Sequence, residues 1–411
     1  MQIKQYIPLY NDILPIEELN TIKYTGYQLL PFSDIIIEFL HKISTEIFNN
    51  SILKKEASFT SLAFWLRQSN IKRIIQENEH LIDNNKYSLN PLGIVYHVCP
   101  SNVDTMFIYS GVISLLCGNK NIIKISSRSI TPELEELFKI INSILTIDEF
   151  KILNDYFRVV SYEHVRETNE YFSRIANARI IWGGDETVNL FKSYPTNTRC
   201  KDICFPNRIS YSIFDSRDFL ILNDFEKKKE VVKKFYNDYN LYDQKACSSP
   251  DTIFILGNDY NNKYFFEQFH TILDNIARKD YLNRTNLDYI TTLKFNQLAE
   301  DAINNDVVNI MDDNIVTFVE LNNIPKNHSC GAGYFYIKQI ANLIQLQPYI
   351  NNSVQTLSYF GLNDKMLQEI KQLSFGTGID RVVPIGTALE FDYIWDGYNL
   401  FEELTSRKVL K

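Results

Sequence analysis

Six cysteines are spread through the 411 residues, and Cys247 has the neighbours that best suit a nucleophile. It stands in Asp243-Gln-Lys-Ala-Cys-Ser-Ser-Pro250, between an amphipathic helical stretch and an apolar strand at Thr252 to Leu256. Ala246, Ser248 and Ser249 are small and leave room for a substrate, with Gln244 and Ser248 as candidate substrate contacts. If the segment opens a helix, the free N–H groups and the dipole there lower the thiol pKa and enlarge the thiolate fraction that attacks a thioester carbonyl. Taken alone, an isolated cysteine is more often a buried packing residue. Asn102, in Cys99-Pro-Ser-Asn-Val103, follows an apolar strand and precedes a helix. A side-chain amide at that place serves either as an oxyanion donor or as a helix cap.

Groups of this kind need a rigid frame. From Pro91 onward, short apolar runs at Gly93 to Val98, Asn121 to Ile125, Phe157 to Ser161 and Arg179 to Trp182 read as strands. Amphipathic helices fall between them at Asp104 to Cys117, Pro132 to Leu145 and Glu163 to Ala176. The alternation predicts a parallel sheet with crossover helices, which places ligands beyond the carboxyl ends of its strands. Lys124 and Arg128 stand where a dinucleotide's adenosine ribose lies in such a sheet. Trp182-Gly-Gly-Asp-Glu-Thr187 ends the fourth strand, and Gly183 and Gly184 would let backbone approach a pyrophosphate. A solvated charge pair and an ordinary glycine turn are the plain alternatives. Residues 1 to 90 read mostly as helices, at Asp34 to Phe48 and Ser61 to Leu81. A second block follows the strand pair Cys200 to Phe205 and Arg208 to Phe214, and a helical pattern from Asp218 to Tyr239 leads to the cysteine. The division expected is therefore 1–215, a helical preface with a dinucleotide-binding domain; 216–390, a catalytic domain carrying Cys247; and 391–411, a C-terminal tail.

A net charge of −8 argues against a nucleic-acid partner. The apolar stretch from Met106 to Cys117 is interrupted by Ser110 and Gly111 and is shorter than the roughly 20 residues of a membrane span. Nothing near Met1 has the pattern of a signal peptide, and the scattered cysteines form no disulfide framework. A cytoplasmic protein with free thiols is expected. Cys200 and Cys204 lack the nearby His or second Cys pair of a zinc site, so no metal is expected.

Taken in order, Pro91-Leu-Gly-Ile-Val95, the Pro-x-Asn turn at Asn102, Gly118-Asn-Lys-Asn-Ile-Ile-Lys124, the Gly183-Gly184 helix start and Gln244-x-x-Cys247 resemble the aldehyde dehydrogenase superfamily. More narrowly, Leu62-Ala-Phe-Trp-Leu-Arg67, Ile181-Trp-Gly-Gly-Asp-Glu-Thr-Val188, Asn207-Arg-Ile-Ser210, Gln244-Lys-Ala-Cys-Ser-Ser-Pro250, Asp380-Arg-Val-Val-Pro-Ile-Gly386 and Phe391-Asp-Tyr-Ile-Trp-Asp-Gly397 resemble the LuxC-type acyl-CoA reductases. That family is the fatty acid reductase component of bacterial bioluminescence and its relatives.

The resemblance implies an α/β, aldehyde-dehydrogenase-like fold, with a Rossmann-type dinucleotide domain and an α/β catalytic domain. It implies an acyl-enzyme on Cys247, the oxyanion-hole role for Asn102, ribose binding for Lys124, and a cofactor-contacting turn at Trp182, Gly183 and Gly184. His97 lies in the matching stretch, either as a substrate or cofactor contact or as a hydrogen-bonded core residue. Two departures from the oxidising members bear on the chemistry. Their water-activating Glu has no counterpart between Thr187 and Phe225, so the acyl-enzyme should persist long enough to accept hydride. Where NAD-preferring members carry an acidic residue after the ribose-binding Lys, this chain has Ser126, Ser127 and Arg128, which suit a 2'-phosphate. NADPH is thus expected before NADH. The superfamily's second ribose-contacting Glu finds no match, although Cys330-Gly-Ala-Gly333 stands in that neighbourhood. The activity implied is NADPH-dependent reduction of an acyl-CoA, fatty acyl first, to an aldehyde. Its rivals are a CoA-acylating dehydrogenase running in the oxidative direction and a cysteine acyltransferase without redox chemistry. The partners implied are acyl-CoA or another acyl thioester donor and an acyl-transferring or aldehyde-consuming enzyme; a homo-oligomer is left open.

Overall fold

The computed structural model describes residues 2–9, 12–16, 29–81, 87–100, 102–163, 165–282, 284, 286–312, 315–326 and 329–409. The chain divides into two compact units, residues 1–207 with 391–411, and residues 208–390.

In the first unit, β1 (Gln2–Ile7) and β2 (Asp12–Pro15) precede helices α1 (Asp34–Asn49), α2 (Ala57–Trp65) and α3 (Gln68–Glu77). The opening hairpin adds strands to a start read as mostly helical. Ile3, Gln5 and Ile7 recur with the two-residue period of a strand and are buried, and β1 extends the sheet antiparallel to its neighbour. After β3 (Tyr87–Pro91) the expected alternation follows: β4 (Ile94–Val98), α4 (Met106–Leu116), β5 (Lys120–Lys124), α5 (Pro132–Leu145), β6 (Phe157–Ser161), α6 (Arg166–Ile175), β7 (Ala178–Trp182), α7 (Asp185–Lys192) and β8 (Lys201–Phe205). Thr131 caps α5 by accepting from the Leu134 amide at 3.2 Å, with Pro132 opening the helix. The sheet order is β2-β1-β6-β5-β4-β7-β8, with β6 through β8 mutually parallel. The chain runs outward from β4 through β5 to β6, then returns to the other side of β4 for β7. The strand order therefore reverses between β4 and β7, which is where such sheets open a crevice for ligands.

The second unit holds β9 (Ile209–Asp215), α8 (Ser216–Leu220), α9 (Phe225–Asn240), β10 (Thr252–Leu256), α10 (Asp259–Leu282), α11 (Leu287–Asn304), β11 (Val307–Asp312), β12 (Thr317–Leu321), β13 (Tyr334–Ile340), β14 (Val354–Phe360), α12 (Asp364–Leu373) and β15 (Arg381–Pro384). Its sheet runs β11-β12-β13-β10-β9-β14-β15, parallel except for the edge strand β11. Phe214, Phe219, Phe235, Phe265, Phe269, Phe318 and Phe335 pack into one aromatic core between sheet and helices. Phe265, Phe266, Tyr334 and Phe335, whose place in core or substrate tunnel the sequence leaves open, are all buried.

Three boundaries differ from expectation. The helix read over Asp218 to Tyr239 is broken, because Asp215 and Asp224 each cap a separate helix by accepting amides of Arg217 and Glu226 at 2.9 Å. The domain break falls at Arg208 rather than after residue 215, since β9 is hydrogen-bonded between β10 and β14. The tail is no separate piece. Trp65 Nε1 donates to the Phe391 carbonyl at 3.0 Å, and the strand Thr405–Val409 pairs with β3. Among the described residues, no helix is long and apolar enough to cross a membrane.

Candidate active site

Cys247 is half-buried in a run of turns between α9 and β10, and no helix begins there. The helix N-terminus envisaged for lowering its pKa is thus absent, and the loop is instead shaped by its own backbone. Asp243 and Gln244 have φ of 52° and 62°. Left-handed backbone costs roughly 1–2 kcal/mol at a residue other than glycine, so both need external support. Gln244 Oε1 accepts from the Gly333 amide at 2.9 Å, and Nε2 donates to the carbonyls of Pro250 and Tyr334, each at 3.0 Å. Asp243 accepts from Arg284 at 2.6 Å. These contacts hold the loop in a shape it would not adopt alone, and strain of this kind gathers where a side chain must be aimed.

The cysteine is gripped at two further points. Ser210 Oγ, on β9, donates to the Cys247 carbonyl at 2.7 Å and accepts from the Thr356 amide of β14 at 3.2 Å. Gln355 Nε2, also on β14, donates to Cys247 Sγ at 3.4 Å. The site lies at the amino ends of β9, β10 and β14, because the loop enters β10 directly through Pro250 and Asp251.

Two expected substrate contacts are corrected. Gln244 is buried and spends both ends of its amide on the backbone, so it clamps the loop. Ser248 is buried as well. Cys330-Gly-Ala-Gly333 packs on this loop: a Cβ at Gly331 would lie 3.3 Å from the Asp243 carbonyl oxygen. Sequence reasoning missed Ser210 and Gln355, although a glutamine inside the apolar run Val354–Phe360 was the available signal.

The first unit gathers the remaining residues along the carboxyl ends of β4, β5 and β7. Asn102, after β4, is exposed, and the cap position of α4 belongs to Thr105. Lys124 ends β5 beside Val98, with Nζ 5.2 Å from the Tyr162 ring centroid; burial lowers its pKa. Ser126 accepts from the Arg128 amide at 3.3 Å, and the Arg128 side chain is exposed. Gly184 stands at the cap of α7, which leaves the first-turn amides of that helix without a side-chain acceptor. A Cβ at Gly183 would meet Thr187 at 3.0 Å, so close packing accounts for that glycine.

Two residues expected at the ligand lie inside the core. His97 is fully buried; its ring nitrogens bond Ser110 Oγ at 2.8 Å and Asn121 Oδ1 at 2.9 Å, and burial pulls its pKa down to about 4. Trp182 is also buried, stacked on Phe205 at 3.7 Å, and its Nε1 donates to the same Ser110 at 3.1 Å. Both fasten β4 and β7 to α4. The crevice position and the exposed Arg128 with its neighbouring hydroxyls fit an anionic dinucleotide, although the first turn of α7 carries two carboxylates, Asp185 and Glu186.

The comparisons with known proteins agree with this geometry. The aldehyde dehydrogenase KauB from Pseudomonas aeruginosa superposes with a TM-score of 0.68 at 11% identity, covering 100% of this chain and 92% of its own. Aldehyde dehydrogenase 21 from Physcomitrella patens, solved with its reaction product succinate, gives 0.63 at 10% identity, with 96% and 88% covered. The glyceraldehyde-3-phosphate dehydrogenase GapN from Methanocaldococcus jannaschii, complexed with NADP, gives 0.60 at 14% identity, with 96% and 91% covered. At such identities the likeness shows the fold, which is that of the aldehyde dehydrogenases. No curated protein matches the chain by sequence. The family described as acyl-CoA reductase (LuxC) matches residues 37–407, and the chain belongs to that family.

Proposed function

We propose that this protein reduces an acyl-CoA, fatty acyl first, to the aldehyde with NADPH, holding the acyl group as a thioester on Cys247. The observation that carries the reading is the strained loop, clamped through Gln244, that presents a half-buried thiol whose sulfur accepts a hydrogen bond.

Cys247 Sγ attacks the thioester carbonyl, the new C–S bond forms, and coenzyme A leaves as its thiolate to take a proton from solvent. Asn102 is assigned the oxyanion on its match to the superfamily residue. The chain has no Glu between Thr187 and Phe225 to activate water, so the acyl-enzyme is spared hydrolysis. Arg128, Ser126, Lys124 and the α7 N-terminus would hold NADPH, which when bound supplies the hydride that takes the thioester to the aldehyde level. As the aldehyde C=O forms, the C–Sγ bond breaks and returns the Cys247 thiolate.

Intact-mass measurement after exposure to acyl-CoAs of graded chain length, without nucleotide, tests this. A single added acyl group, located on Cys247 and discharged as aldehyde on adding NADPH, is expected. Turnover without any acylated protein would remove the covalent route.

A further inference from the structure

Resting on the assignment of Cys247 as nucleophile, we propose that Gln355 is a second catalytic residue, a neutral hydrogen-bond donor that stabilises the Cys247 thiolate. Gln355 is fully buried on β14, and its Nε2 donates to Sγ at 3.4 Å. Its orientation is set from behind. Thr356 Oγ1 donates to Gln355 Oε1 at 3.4 Å, and Arg381 Nη1 in turn donates to Thr356 Oγ1 at 3.5 Å. Arg381 is itself fixed by the carbonyls of Ala388 and Glu390, each at 3.1 Å. With Oε1 receiving the hydroxyl proton, the amide must turn its N–H groups toward the sulfur. A guanidinium at the far end polarises each bond of the chain in the same sense.

The chemistry follows from which form of sulfur accepts best. A donor bonds a thiolate more strongly than a thiol, so it favours ionisation. In the acyl-enzyme the sulfur shares its electron density with the carbonyl and becomes a poor acceptor. The bond from Gln355 is therefore strongest when Cys247 is about to attack and again when the aldehyde departs and the thiolate re-forms, which is differential stabilisation of the charged states. Because the donor is uncharged, it adds no ion to the path of an incoming acyl chain. No helix begins at Cys247 to do this work, so the strand side chain supplies it.

The test is the pH dependence of Cys247 alkylation by iodoacetamide, read by peptide mass on wild type, Gln355→Met and Thr356→Val between about pH 5 and about pH 10. Wild type is expected to show an inflection below the free-thiol value of about 8.5. Gln355→Met should move it up by roughly one unit or more, a loss of roughly tenfold in alkylation rate at neutral pH. Thr356→Val should move it the same way by less, and it decides the matter alone should Gln355→Met fail to fold. A packing role would lower the melting temperature and leave the inflection in place. Folded variants whose profiles superimpose on wild type would overturn the proposal. Acylation of wild-type Cys247 by acyl-CoA is followed separately. Its absence would remove the nucleophile assignment, whereas acylation with unmoved profiles would remove only Gln355.

Discussion

At the level of single residues, the proposed chemistry rests on the sulfur of Cys247, and its surroundings decide whether it reacts. Cys247→Ser is expected to abolish the acyl-enzyme seen by intact mass while leaving dinucleotide binding near wild type; retained turnover would remove the assignment. Arg128 is the residue through which cofactor choice is testable. A contact between its exposed guanidinium and a 2'-phosphate would be worth about 1.5–3 kcal/mol. Arg128→Ala should therefore weaken NADPH by roughly 10- to 100-fold and NADH little, measured by titration of each nucleotide. Equal losses would defeat the 2'-phosphate argument. The cysteine was legible from its small neighbours and motif strings. Gln244 was legible as important but not in its role, because only the folded loop reveals that its amide is spent on Gly333, Pro250 and Tyr334.

The elements succeed by holding awkward segments still. Gly333 has φ +83°, and a Cβ there would lie 3.1 Å from the Ile315 carbonyl oxygen. Its amide is one of the three bonds to Gln244. Gly333→Ala is expected to cost about 1–2 kcal/mol in denaturant unfolding and to slow Cys247 alkylation, since the loop loses its support. A control that spared the loop would leave alkylation unchanged. In the first unit, buried Arg179 on β7 forks onto Asp202 of β8 at 2.7 and 2.6 Å, and bonds Ser173 and the Phe191 carbonyl. Arg179→Ala should lower unfolding free energy by about 1–3 kcal/mol, because it leaves the buried Ser173 hydroxyl and Phe191 carbonyl without their donor. The paired strings of the family meet here as building contacts. Trp65 reaches Phe391, and Arg208 pairs with Asp380 beside the Val354 carbonyl.

Across the whole molecule, two buried ionisable groups set opposite slopes of stability with pH. Burial pushes Asp238 up from 3.8 to about 7, against the amides of Gly386 and Ala388 at 2.7 and 2.9 Å. Between those values the folded chain keeps a proton that the unfolded chain has released, so the Asp238 contribution falls as pH rises through that window, while His97, lowered from 6.5 to about 4, contributes in the opposite sense below about 6.5. Lys294 moves oppositely, lowered by burial from 10.5 to about 8 while it donates to the Ile315 carbonyl at 2.6 Å. Above about 8 the unfolded chain holds the extra proton, so the Lys294 contribution rises with pH until about 10.5, while thiols such as Cys330, pushed up by burial from 9.0 to about 11, act in the opposite sense. Against wild type, denaturant midpoints should climb more steeply with pH between about 4 and about 7 in Asp238→Asn and less steeply above about 8 in Lys294→Met; profiles parallel to wild type would show that other groups set the slopes. Strand alternation, the cysteine string and the ordered motifs reveal the class of fold and single out Cys247 as the candidate nucleophile, because periodicity and turn chemistry act over a few residues. The choice between core and ligand for His97, the burial of Trp182, the return of the tail to β3, and the meeting of Gln355 with a sulfur 108 residues away are beyond that range. They depend on which strands lie side by side and in what register, and that is settled only when distant segments compete to bury the same surface.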